Sequence, residues 1–116
     1  MYSRYSLVAA AVALTLFASC HREESAIRSR AQRLVDRRAG AAEAESEFGK
    51  AGHIYTRDEV AGYLQKTRAE DRSVRETWER LGQHPRTLYF NPGEMRQLYV
   101  FLDDADRVAG YYLTSQ

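Results

Sequence analysis

"RTLYFNPGEMRQLYVFLDDADRVAGYYLT", residues 86–114, decides the fold. Leu98, Val100 and Leu102 alternate with Tyr99 and Phe101, a period of two that sends successive side chains to opposite faces of a strand. "RTLYF" before it and "RVAGYYLT" after it carry the branched and aromatic residues that suit strands. "NPGE" separates the first pair, with Pro92 and Gly93 suited to the centre of a type II turn, and the acidic "DDAD" separates the second. Three strands joined by two tight turns predict an antiparallel meander.

Upstream the period changes to that of a helix. In "YTRDEVAGYLQKT" (55–67), Thr56 precedes Glu59 by three residues, a capping box, and Val60, Tyr63, Leu64 and Thr67 follow at helical spacing. In "DRSVRETWERLG" (71–82), Ser73 and Glu76 repeat the device. Val74, Thr77, Trp78 and Leu81 form its apolar stripe, with Gly82 and Pro85 as stop signals. The predicted class is α+β, with two short helices on one face of a three-stranded meander (ααβββ). Trp78 is expected to be mostly buried against the Leu98/Val100/Leu102 face. Residues 53–116 form the expected domain.

The 116-residue chain has 17 basic and 16 acidic side chains, so its overall charge does not point to a nucleic-acid partner. One cysteine excludes an intramolecular disulfide and a cysteine-rich zinc site. That cysteine, Cys20, ends a stretch with the order of a secretory signal peptide. Arg4 supplies positive charge, "LVAAAVALTLF" (7–17) is apolar, and Ala18 and Ser19 are small. The apolar run is too short to span a membrane, which takes roughly 17–25 residues. "ASC" resembles the bacterial lipobox, in which the cysteine is diacylated, becomes the new N-terminus and takes a third chain. Residues 1–19 would then be the signal peptide. Covalent diacylglycerol and an N-acyl chain on Cys20 would hold the protein to membrane lipid, since each buried methylene contributes ~0.8 kcal/mol. His21 in the following position resembles sorting to the outer membrane, on the inner leaflet facing the periplasm. The alternative is an ordinary signal peptide with an incidental cysteine.

Residues 20–52 read as a tether. Ile27, Ala31, Leu34 and Val35 place one amphipathic helix between Glu24 and Arg38, with Gly40 as its stop. The six arginines from Arg22 to Arg38 suit either a solvated tether or contact with anionic lipid head groups.

No residue pattern points to catalysis, to a metal or to a small-molecule substrate. His21, His53 and His84 are scattered, and Ser73 and Ser115 lack a recognisable base. Asp103, Asp104 and Asp106 lack the glycine and glutamate of a calcium loop. The candidate binding residues are aromatic: Tyr89, Tyr99, Phe101 and Tyr111 on the meander strands, with Tyr99 and Phe101 on the side away from Leu98, Val100 and Leu102. They form either a partner-binding patch, because aromatics concentrate at interface cores, or a surface covered when residues 27–48 fold back.

The order of elements resembles the SmpA/OmlA, or BamE-like, family of small outer-membrane lipoproteins over residues 55–113. "SVRETWERLGQHP" is similar to that family's second helix, through Ser73, Val74, Leu81, Gly82 and Pro85, and "QLYVFLDDADRVAGYYL" to its last hairpin. The resemblance implies a non-catalytic scaffold that binds an envelope protein such as the outer-membrane barrel assembly machinery. The competing class is a periplasmic inhibitor or exclusion lipoprotein, acting on a lysozyme, a protease, or incoming phage or plasmid.

Overall fold

The computed structural model describes residues 21–115. The expected signal peptide, residues 1–19, and Cys20 lie outside the described residues. The fold is α+β, as the sequence predicts, with four helices and a four-stranded antiparallel sheet among those residues. In chain order they are α1 (residues 21–36), α2 (Ala41–Phe48), β1 (His53–Thr56), α3 (Arg57–Lys66), α4 (Arg72–Leu81), β2 (Arg86–Phe90), β3 (Arg96–Leu102) and β4 (Val108–Ser115). The sheet order is β1-β2-β3-β4.

The meander forms as expected, and a fourth strand joins it. β1 pairs with β2 from His53↔Tyr89 to Thr56↔Arg86. At four residues it is too short to show a period. The first turn also shifts: Arg96 N–H donates to Gly93 O, with Met95 in the left-handed region (φ 58°), so Pro92 and Gly93 are not its central pair. The second turn is an Asx turn, in which the Asp103 carboxylate accepts from the N–H groups of Ala105 (2.9 Å) and Arg107 (3.0 Å).

Antiparallel partners share a face, so the register sorts the sheet into two sides. Leu88, Phe90, Leu98, Val100, Leu102 and Leu113 lie on one, all buried. Tyr89, Tyr99 and Tyr112 form a paired row on the other, beside Phe101 and Thr87.

Each side has its own cover, and the assignment is the reverse of the prediction. Residues 31–48, expected to belong to a tether, cover the aliphatic side. Leu34 and Ala44 are fully buried, the Phe48 ring lies 5.6 Å from Phe90, and Val108 N–H donates to Ala39 O at 2.8 Å. The small side chains Ala31, Ala39 and Ala44 allow this layer to approach closely. Accordingly the compact unit carrying the sheet runs Ala31–Gln116, and does not begin at residue 53. α1 keeps the predicted stripe, with Ile27, Ala31 and Leu34 buried and Val35 half-buried.

α3 and α4 cover the aromatic side. Val60 and Leu81 pack with Tyr99 and Phe101, and Trp78 joins this cluster rather than the leucine face. Two short helices bring few large aliphatics of their own, and the strand aromatics fill the space between the layers. Thr56 caps α3 as predicted, accepting from Glu59 N–H at 3.2 Å. Ser73 does not cap α4. The helix opens after Asp71, and the Ser73 carbonyl accepts from Thr77 Oγ1 at 3.1 Å.

Candidate functional site

The chemistry of the aromatic side starts with its packing. Tyr55 on β1 is the hub, with ring centroids 4.3 Å from His53, 5.6 Å from Trp78, 6.3 Å from Tyr63 and 6.4 Å from Tyr89. Trp78 meets Tyr55 edge-on at 64° and lies 5.0 Å from Tyr63. Such pairs add ~0.5–1.5 kcal/mol each beyond area burial. At the far end of the row, Arg80 places its guanidinium carbon 4.5 Å above the Tyr112 ring, a cation–π contact. Burial, and then the neighbouring Tyr55, Tyr89 and Tyr112, push the Tyr99 hydroxyl up to about 12, so it remains un-ionised. Burial likewise raises Tyr55, while Tyr63 is raised first by the adjacent Glu59 charge.

This layer is covered incompletely. Between α3 and α4 runs a groove of about 270 Å³, walled by Val60, Ala61 and Leu64 on one helix and Trp78 and Gly82 on the other. Its surface is largely apolar, with Arg57, Glu79 and Gln83 as the polar residues that line it. Trp78 and Leu64 are only half-buried there, and Ala61 is exposed. Gly82 has an ordinary right-handed conformation, and its value is spatial. A Cβ there would come within 3.2 Å of Trp78 O and 3.8 Å of Val60 Cγ1, both on residues that line the groove. Trp78 thus presents part of its indole to the groove, backed by the packed rings of Tyr55 and Tyr63.

The titratable residues serve the same architecture. His53 Nε2 lies 2.5 Å from Glu59 Oε1, which also accepts from Tyr63 OH at 3.2 Å, so β1 is clasped to α3. His84 stacks flat on Phe101, centroids 4.3 Å apart and planes 10° apart. Burial, and then Arg57, hold its imidazole below the ordinary histidine value. Asp103 is held below the usual carboxylate range, first by the Arg107 N–H, then by the Ala105 N–H and Arg38. Among the described residues, no group of three or more His, Cys, Asp or Glu side chains is placed to hold a metal ion.

The four predicted aromatics are not one surface. Tyr99 and Phe101 are 6% and 7% exposed and belong to the core. Tyr89 shares their side of the sheet and is half-buried, its hydroxyl donating to Asn91 Oδ1 at 2.9 Å. Tyr111 pairs with Val100 and so lies on the opposite side. The groove residues Ala61, Leu64 and Trp78 lay within helices read as amphipathic, and the signal for them was a lone tryptophan on a short stripe. Compared with known proteins, the chain matches no family model, no curated protein and no solved structure.

Proposed function

We propose that this protein is a lipid-anchored, non-catalytic interaction module of the bacterial envelope, and that it docks a protein partner in the α3–α4 groove around Trp78. The observation that carries this reading is the partly exposed tryptophan lining an apolar groove. Tryptophan is among the residues that dominate binding energy when a partner closes over them, at about 2 kcal/mol or more. One cation, one anion and one amide, Arg57, Glu79 and Gln83, also line the groove, and polar residues beside an apolar centre are common at protein interfaces. The apolar run ending in Ala18-Ser19-Cys20 supports attachment through Cys20, and with His21 it favours the outer membrane's periplasmic leaflet. The resemblance to BamE-like lipoproteins favours the outer-membrane barrel assembly machinery as the partner.

Ala61→Arg tests the docking. Ala61 is exposed, so the long cation crosses the groove without entering the core. The variant should melt within a few degrees of wild type and lose its crosslinked partner in intact cells. A folded variant that crosslinks as well as wild type would place the binding face elsewhere.

A further inference from the structure

The two edges of the sheet are built differently. β1 is four residues long and runs directly into α3, a short edge of the kind that discourages pairing with another chain. β4 is eight residues long, and its sequence VAGYYLTS contains no charge and no proline. Among the described residues, its guards lie at its start. There the register shifts between Phe101 and Leu102, Val108 N–H is taken by Ala39 O, and Gly40 bridges Arg107. From Gly110 to Ser115, β4 has a strand neighbour on one side only among the described residues. Alternate N–H and C=O groups of an antiparallel edge strand point outward, where the backbone of another extended strand matches them best.

A second feature adjoins this edge. A cleft of about 340 Å³ lies between α4 and the sheet, lined by Ser73, Val74, Thr77, Gln97, Tyr112 and Thr114. None of these is charged, and Val74 is 46% exposed. Arg80, the cation beside it, is stacked on Tyr112.

We propose that β4 is the interface for a second copy of this chain, paired antiparallel to it about a two-fold axis to give one continuous eight-stranded sheet. A dyad sets each near-axis residue close to its own counterpart, so charged residues there would repel. The uncharged β4 and its uncharged cleft meet that condition. Pairing β4 with the β1 edge of the next copy would be head-to-tail and open-ended, and β1 offers four residues where β4 offers eight. Self-pairing preserves the face of each side chain, so with the dyad at Leu113, Tyr112 of each copy lies opposite Thr114 of the other, over the cleft.

Sedimentation velocity of the full-length chain in density-matched neutral detergent tests this. Wild type should sediment at twice the chain mass and dissociate on dilution. Thr114→Lys places like charges across the dyad and should raise the dissociation constant by roughly a hundredfold or more. An equimolar mixture of Thr114→Lys and Thr114→Glu should restore the dimer. Ser115→Lys, at an exposed position, gives the same readout if Thr114→Lys lowers the melting temperature. A wild-type chain that stays monomeric throughout, or a folded lysine variant that still dimerises, would overturn the proposal.

Discussion

Phe101→Ala is the variant that most sharply separates a core ring from a binding ring. Phe101 is 7% exposed, packs with Val60, Leu81 and Tyr99, and carries the stacked His84 at 4.3 Å. Its Cδ2 also lies 3.6 Å from where a Cβ on Gly110 would stand, so the strand beneath leaves little room to collapse into the space the ring vacates. Truncating a buried phenylalanine costs about 3–5 kcal/mol, the higher values belonging to sites that cannot relax. Small domains have ~5–15 kcal/mol in all, and each kcal/mol lost lowers Tm by about 4–8 °C at this size. The expected drop in Tm is therefore at least ~12 °C. Circular dichroism melts, with urea titration to check that the m-value is unchanged, measure it. Tyr111→Ala is the control, a half-buried ring on the opposite side of the sheet, and should lose much less. A Phe101→Ala chain melting within ~4 °C of wild type, a shift worth no more than about 1 kcal/mol, would refute the assignment of α3 and α4 to the aromatic side.

Two further outcomes follow from single atoms and single charges. Thr87 is 1% exposed and its Oγ1 has no hydrogen-bond partner among the described residues; Thr87→Val removes that buried polar group at nearly constant volume and should stabilise by about 1 kcal/mol. A lower melting temperature would show that the hydroxyl is satisfied. His84 is held below its ordinary value of 6.5 in the fold, so the unfolded chain takes up the proton first, and the stability His84 contributes above pH 6.5 is lost as pH falls below it. His84→Phe keeps a ring over Phe101 and should flatten the decline in Tm between pH 7 and pH 5, whereas slopes identical to wild type would remove His84 as a cause.

Much of this fold was legible because local signals and packing agreed. The Thr56 cap, the Ile27/Ala31/Leu34 stripe and the alternation through Leu98–Leu102 are each set by neighbours in the chain, and each holds. What stayed hidden depends on distant partners. "HIYT" becomes β1 only because β2 offers an edge to pair with. Alternation separates Leu98, Val100 and Leu102 from Tyr99 and Phe101 without saying which helices cover which set. With residues 31–48 taken as tether, one side of the sheet is bare, and the aromatics are either a surface patch or rings covered by that segment folding back. The alanines Ala31, Ala39 and Ala44 look inert as a composition, yet they are the close-packing layer over the aliphatic side. For the groove, the visible hint was Trp78. Its exposure depends on how far apart two helices sit, which no single helix encodes.

The proposed attachment of the chain to an envelope membrane rests on one residue, Cys20. The direct measurement is metabolic labelling with a palmitate analogue, followed by fractionation, for wild type and Cys20→Ala expressed in an envelope bacterium. Wild type should be labelled and partition with the outer membrane, and Cys20→Ala should be unlabelled and either soluble or uncleaved. Label retained on Cys20→Ala, or wild type that is never labelled, would contradict lipid anchoring at this residue.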